Sequence, residues 1–377
     1  MKILVGMSGG VDSSVAAYLL KKEGNEVIGL HFNFVNRDKK VLDIPEKLKE
    51  VANKLDIELI AKDYSEEFNE KIINSFVHDY ESGITPNPCA LCNGMMKFEK
   101  LLQVMKEENC DAIATGHYAK IENKYIRKSQ NAKKDQSYML YRLSEEQRAK
   151  TIFPIGDMDK NDVRMIAKEI GLSVAGEKDS QDVCFISKDK SYVDFIKEYE
   201  FGSDYKEKIL SGKLKLDDIY DIPYLKKGMF VDIDGKVLGY HKGIINYTIG
   251  QRKGLNIAFG ERKFVKEINV ASNQVVLCDN DELYSDEFNI YDIVFSKLAK
   301  DSILNSYNEI YKVSFIAKLR YRHEGTMCDV YFKKNTDGSI EDVATCHLHE
   351  KVRAITRGQA AVFYDDNDYI MFGGRIK

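Results

Sequence analysis

At 377 residues, with 44% hydrophobic and 31% charged side chains, the chain has the composition of a folded protein of two or three domains. Its formal net charge of -4 and pI near 6.1 exclude a uniformly basic nucleic-acid binder, while 56 Lys+Arg against 60 Asp+Glu still allow a local basic face. No apolar run is long enough to span a bilayer, and the opening MKILVGMSGG reads as a first strand rather than a signal peptide, so we expect a cytoplasmic protein with no membrane partner.

The first element is the apolar run Ile3–Val5, followed by Ser8-Gly9-Gly10-Val11-Asp12-Ser13-Ser14 and a helix-patterned stretch through Val15, Ala16, Leu19 and Leu20. Two adjacent glycines let the backbone approach phosphate oxygens, and the amides and hydroxyls of Ser13 and Ser14 open a helix whose N-terminus favours anions. Asp12 is a candidate ligand for the magnesium that accompanies a nucleotide. No lysine follows the glycines, which separates the segment from a Walker loop. The plain alternative is a glycine turn between strand and helix.

A second strand, EVIGLHF, comes next. Leu48, Val51, Ala52 and Leu55 then fall at helical spacing before IELIA, and Phe98, Leu101, Leu102 and Met105 do so before DAIATG. Val163, Ile166, Ala167 and Ile170, ended by Gly171, form a further helix. This alternation predicts an α/β domain over residues 1–205 with a parallel sheet. After 205 the pattern becomes period-two, predicting a small, mainly β module at 206–280 and a C-terminal β-barrel at 281–377. Hairpins are expected to turn at Asp234-Gly235 and in the Asp-Asp-Asn-Asp stretch after Tyr364. Between Val313 and Arg322 the alternation predicts a strand with Lys318, Arg320 and Arg322 facing outward.

Seven cysteines are too few and too odd in number for a disulfide framework, which leaves thiols for chemistry. Cys89 and Cys92 stand in a loop made rigid by Pro86 and Pro88, with helix-patterned residues from about Met96. A Cys-x-x-Cys spacing serves a redox pair or half a zinc site, and a helix start would lower the thiol pKa. Cys184, in KDSQDVCFI, is the third thiol of interest. Cys110, Cys278, Cys328 and Cys346 read as structural, because Cys346, His347 and His349 crowd one strand too closely for a closed zinc site.

The SGGxDS loop resembles that of the PP-loop ATP pyrophosphatases. Together with TPNPxxxCN, ATGHYA, KDQSY, CFI, YTIGQRKGL, LRYR and GQAAVFY in this order, it makes nearly the whole chain similar to the tRNA-specific 2-thiouridylases. The resemblance implies a PP-loop nucleotide-binding domain, followed by the central module and the barrel. It also implies ATP-dependent exchange of the 2-oxo oxygen of the wobble uridine for sulfur. By the same likeness Gly6, Met7, Ser8, Gly9, Gly10, Val11, Asp12, Ser13 and Gly116 would bind ATP with magnesium, and Phe32 would lie near the adenine. Asn87, Pro88 and Cys89 would meet the target base. His117, Lys134, Asp135, Gln136, Arg320, Tyr321 and Gln359 would contact tRNA. Cys92 would be the nucleophile and Cys184 the persulfide carrier, joined in a transient disulfide. The sulfur donor would be a persulfide carrier protein, a cysteine desulfurase or inorganic sulfide.

Two departures from the family pattern matter. Cys89 stands where the commonest form has aspartate, so Cys89, Cys92 and Cys184 form a candidate ligand set for a 4Fe-4S cluster whose open iron would bind hydrosulfide. Gln181 and Asp182 replace the more usual Thr-Gly beside Cys184. Read from the loop alone, the chain also suits another PP-loop ligase or RNA sulfurtransferase, or a nonenzymatic RNA-binding iron-sulfur protein.

Overall fold

The computed structural model describes residues 1–35, 44–176, 183–256, 260–305 and 309–377. Gln181 and Asp182 lie outside them, as does the stretch just after Val35. The N-terminal region carries β1 (Lys2–Gly6), β2 (Glu26–Asn33), β3 (Glu58–Asp63), β4 (Ala112–Ala114), a small hairpin of β5 (Lys120–Glu122) and β6 (Tyr125–Arg127), and β7 (Thr151–Ile152). Five of these form one sheet in the order β3-β2-β1-β4-β7, all parallel. Central β1 is covered on both faces, which is why its apolar residues run consecutively: Ile3, Leu4 and Val5 are all fully buried. The chain steps outward from β1 to β3 and then crosses to β4, so the sheet's switch point lies between β1 and β4. Ligands of open α/β sheets bind at this place.

Helix α1 (Val11–Lys22) begins at the glycine loop, and α2 (Glu46–Leu55) buries the expected stripe Leu48, Val51, Ala52 and Leu55. The stretch expected to turn β after residue 205 is instead helical at Tyr205–Leu210 and Leu216–Tyr220. Its charges sit at helical spacing, as in the Asp204–Lys208 pair at 2.7 Å, and strict alternation starts only at Gly228. From there β8 (Gly228–Val231), β9 (Val237–His241), β10 (Phe264–Asn269) and β11 (Gln274–Cys278) form a sheet ordered β10-β11-β8-β9. The β8–β9 turn carries Gly235 at φ +83°.

A closed six-stranded barrel follows, made of β12 (Tyr284–Phe295), β13 (Ile310–Lys318), β14 (Thr326–Lys333), β15 (Val343–Arg353), β16 (Ala360–Tyr364) and β17 (Ile370–Ile376). Phe363 and Phe372 stack at 4.4 Å inside it. Strand β16 is buried on both faces. Ala361 and Phe363 point into the barrel, while Ala360, Val362 and Tyr364 join the core of the parallel sheet with Leu4, Ile28 and Leu101. The expected outward row of cations is therefore broken. Lys318 is 7% exposed and faces Asp135 at 3.8 Å, and Arg320 and Arg322 lie beyond the strand's end. The C-terminal end of β13 is covered here by the N-terminal domain, while Ile310, Lys312 and Ser314 on the same face stay exposed.

The central module is joined to the N-terminal domain in the same way. Phe230, Val265 and Leu277 pack with Phe68, Ile72, Phe76 and Phe185 in one cluster.

Gly358 tests the joint between barrel and sheet. It has φ +88°, and a Cβ there would fall 2.1 Å from Ile84 Cγ2 and 2.8 Å from the Thr85 carbonyl oxygen. Gly358→Ala is expected to destabilise the protein by about 2 kcal/mol or more, read as a lowered thermal midpoint.

Candidate active site

The glycine loop leaves the C-terminal end of β1 at the switch point. Gly9 takes φ +82°, and α1 has no side-chain cap at Gly10, so the amides of its first turn are not claimed from within the helix. The serines brace the loop instead. Ser13 Oγ and Ser14 Oγ donate to the Gly10 carbonyl at 3.1 and 2.9 Å, and Ser8 Oγ lies 3.3 Å from Ser13 Oγ. Gly6 ends β1, and the side chains of Met7 and Val11 are buried, leaving these residues only backbone to offer a ligand.

Gly116, after β4, closes the other wall. A Cβ on it would lie 2.6 Å from Asp12 C and Ser13 N, so only glycine admits this approach. Phe32, near the end of β2, is half-buried and stacks on Phe34 at 5.0 Å. Both oxygens of Asp12 are engaged by Lys160, at 2.7 and 2.8 Å, and Oδ1 also accepts from the Tyr118 hydroxyl at 2.8 Å. A carboxylate suits magnesium chemically, but here magnesium would have to displace an ammonium that is 6% exposed.

The thiols occupy a second wall. Asn87 caps a short helix, Pro88–Cys92, its Oδ1 accepting from the Ala90 amide at 3.3 Å while its Nδ2 is buried without a partner. This helix runs through a π-turn, Asn93–Lys97, into Phe98–Glu107. Helical structure thus begins eight residues before the Met96 expected from periodicity, because proline at the first position and the asparagine cap nucleate it. Cys92 consequently sits well inside the helical run rather than at its start, and the expected lowering of its pKa is not found.

Cys89 and Cys184 reach solvent and Cys92 is half-buried, yet protein walls surround all three. Loss of hydration raises each thiol's pKa, Cys92's to about 12. Each of the other two thiols acts electrostatically on Cys92, and Lys97 opposes the rise in all three. Cys184 is held by its neighbour Phe185, which is 1% exposed and packs edge-on to Phe68 and Phe76 at 5.8 and 5.1 Å. Among the described residues no three His, Cys, Asp or Glu side chains are gathered to hold a metal ion. The three thiols as arranged do not close around a single metal ion.

His117 connects the two walls. It follows Gly116, receives or gives a hydrogen bond to Thr115 Oγ1 at 2.7 Å, and packs on Phe98 at 5.7 Å. Burial, followed by Lys97, holds its pKa well below the usual value, so it is neutral.

The remaining residues expected at the tRNA divide. Arg320 is exposed and donates to the Arg353 carbonyl at 3.0 Å, and Tyr321 packs edge-on to Tyr138 at 6.4 Å. Lys134 is partly exposed, and Gln136 accepts from the Tyr118 amide at 3.0 Å. Asp135 is 3% exposed, its carboxylate taken by the Ser129 and Ser137 amides, the Ser137 hydroxyl and Lys318. Gln359 points inward, Nε2 donating to the Thr85 and Pro86 carbonyls at 3.2 and 3.1 Å.

Outside the site, Cys110, Cys278, Cys328 and Cys346 are buried, while His347 and His349 face outward toward Glu287 and Asp329. Cys346 and the histidines thus lie on opposite faces of β15.

Lys97 and Lys160 escaped the motif reading, although both left a trace. Lys160 is a lysine in the first turn of a helix, against the dipole. Lys97 stands one helical turn before the core residue Leu101.

Two outcomes follow from this geometry. Asp135→Ala strands the buried Lys318 ammonium and is expected to cost about 3–5 kcal/mol in chemical denaturation; a loss of RNA affinity at unchanged stability would contradict the buried role. With the Cys92 pKa raised above its ordinary value, the thiolate is scarce throughout pH 7–9. Alkylation of Cys92 should therefore climb about tenfold per pH unit across that range, without a plateau.

Comparison with known proteins is consistent along the whole chain. Residues 1–188 match the family model "tRNA methyl transferase HUP domain", 220–279 the "tRNA methyl transferase PRC-barrel domain", and 297–376 the "Aminomethyltransferase beta-barrel domain". A tRNA-specific 2-thiouridylase of Clostridioides difficile (strain 630) is 40% identical over 390 residues, covering 100% of this chain and 98% of the relative. The corresponding protein of Lachnoclostridium phytofermentans is 40% identical over 390 residues, covering 100% and 99%. A 4-thiouridine synthetase solved with RNA and bound ATP aligns over 56% of this chain and 53% of that one, at 18% identity and TM-score 0.34. With full-length identity at this level, the chain belongs to the family of tRNA-specific 2-thiouridylases.

Proposed function

We propose that this chain performs ATP-dependent 2-thiolation of the wobble uridine of tRNA. The observation that carries the reading is the short path Gly116–His117–Phe98–Lys97, which links an uncapped helix N-terminus to three mutually interacting free thiols. A nucleotide alone would not require the thiols, and a redox pair alone would not require the loop.

In this reading the amides around Gly9, Gly10 and Ser13 bind the ATP phosphates, and Phe32 borders the adenine. The target base leaves its stack, at a cost of a few kcal/mol, and meets Asn87, Pro88 and Cys89. Asn87 Nδ2, buried without a partner, is an available donor for a base carbonyl. Lys134, Gln136, Arg320 and Tyr321 grip the surrounding RNA.

The uridine O2 attacks the α-phosphorus. An O–P bond forms, the bond to the β-phosphate breaks, pyrophosphate leaves, and the N3 proton is released. Cys184, loaded with an outer sulfur by a persulfide carrier protein or cysteine desulfurase, then attacks C2 through that sulfur as AMP departs. Cys92 attacks the Cys184 sulfur of the adduct. This forms a Cys92–Cys184 disulfide and frees the thio base, which regains its proton. An external dithiol reduces the disulfide. Inorganic sulfide would instead attack C2 directly and leave both cysteines reduced.

The test is thiolation of tRNA with ATP and a persulfide donor by anaerobically purified protein, alongside iron and sulfide analysis. Cys92→Ala and Cys184→Ala are each expected to lower thiolation by at least a hundredfold while pyrophosphate release persists, and Gly116→Ala to lose both. Normal thiolation by both cysteine variants would overturn the assignment. Stoichiometric iron, with activity lost in Cys89→Asp, would replace the relay by cluster-bound hydrosulfide.

A further inference from the structure

The helical run that bears Cys92 also bears a cation that the chemistry described so far does not use. In an α-helix five residues advance roughly 500°, which would leave residue 97 well off the face of residue 92. The Asn93–Lys97 segment is a π-turn, whose i→i+5 spacing adds a residue to the repeat and brings Lys97 back toward the Cys92 side. The Lys97 backbone N–H is directed at the Cys92 sulfur. The buried side chains of Met96 and Phe98 fix the turn on either side, and Phe98 packs against His117.

Lys97 is half-buried, and among the described residues it has no carboxylate partner. Its neighbours along the same helix differ. Lys100 pairs with Glu67 at 2.5 Å and Lys106 with Glu146 at 2.9 Å. An unpaired cation in a partly desolvated cleft is costly unless an anion visits it. The charge of Lys97 is felt at Cys89, Cys92, Cys184 and His117, so it stands within electrostatic reach of all four.

We propose that Lys97 is a catalytic residue of the sulfur-transfer half of the reaction: its ammonium, brought over Cys92 by the π-turn, stabilises the anionic sulfur as it forms. The inference rests on the thiolation reading of the site. The step needs no proton transfer to or from Lys97. The electron pair that makes the carbon–sulfur bond comes from sulfur, and the pair of the broken carbon–oxygen bond leaves with AMP. Adenylation precedes this step and does not involve sulfur, so it should not depend on Lys97.

The experiment compares wild type with Lys97→Met, Lys97→Gln and Lys97→Arg, checked for fold by circular dichroism and thermal midpoint. One readout is the rate of iodoacetamide alkylation of Cys92 at pH 7.5, followed by peptide mass spectrometry; it needs neither ATP nor tRNA. The other is single-turnover tRNA thiolation beside pyrophosphate release. The Met and Gln variants should alkylate Cys92 at least tenfold more slowly and thiolate at least tenfold more slowly. Pyrophosphate release should stay within about twofold of wild type, and Lys97→Arg should recover most of both losses.

Unchanged alkylation in folded Met and Gln variants would overturn the proposal, as would parallel loss of pyrophosphate release and thiolation. Slowed alkylation in the Met and Gln variants, with a wild type that fails to thiolate tRNA, would place the error in the reaction assigned to the site and leave the role of Lys97 toward sulfur standing.

Discussion

The thiol wall depends on a few backbone bonds at Thr85 and Pro86. The Thr85 amide donates to the Arg357 carbonyl at 3.0 Å, and the Gln359 amide group donates to the carbonyls of Thr85 and Pro86. These residues lie some 270 positions apart in sequence, and Gly358 between the barrel partners admits the approach. Pro86 and Pro88 cannot donate backbone hydrogen bonds, so their segment relies on its carbonyls and on neighbours for anchorage. The barrel supplies that anchorage, and the helix bearing Cys89 and Cys92 starts directly from it. Two ion pairs reinforce the joint, the largely buried Arg375–Asp79 at 2.6 Å and the partly exposed Arg142–Asp292 at 2.8 Å.

Burial of β16 on both faces has the same consequence at larger scale. A barrel that shares its core with the parallel sheet cannot rock freely against it, since separation would expose Val362, Tyr364 and Ile370 to water. The central module is bound similarly through Phe230 and Phe185, and Phe185 is adjacent to Cys184. All three parts of the chain therefore set the position of a thiol: the sheet and barrel that of Cys92, the central module that of Cys184. Burial against these walls explains why the resting thiols are hard to ionise.

Much of this was legible in the chain. The glycine loop, the stripe of α2 and both hairpin turns followed from local pattern, because each depends on neighbours within a dozen residues, and the alternation of apolar runs with helices pointed to the parallel sheet. Other expectations failed where a distant element intervened. Alternation predicted Lys318 to be solvated, yet the N-terminal domain covers that end of β13 and supplies Asp135. Asp135 and Gln359 read as surface polar residues for RNA, and both turn inward to polar groups that no local window contains. Cys92 read as a thiol at a helix start, but Pro88 and Asn87 begin the helix earlier, and desolvation from three surrounding elements then governs its ionisation.

The sequence by itself determined which groups are present: the anion-binding loop, three free thiols, and the order of motifs that marks the family. It could do so because these depend on residue identity and short spacing. Only the tertiary structure decided how the groups act. It set Lys160 against Asp12 and Lys318 against Asp135, and it brought Gly116 within touching distance of the loop. Charge and burial are properties of all the neighbours a side chain meets, and at this site they include segments distant in sequence, as Lys160 is from Asp12 and Lys318 from Asp135.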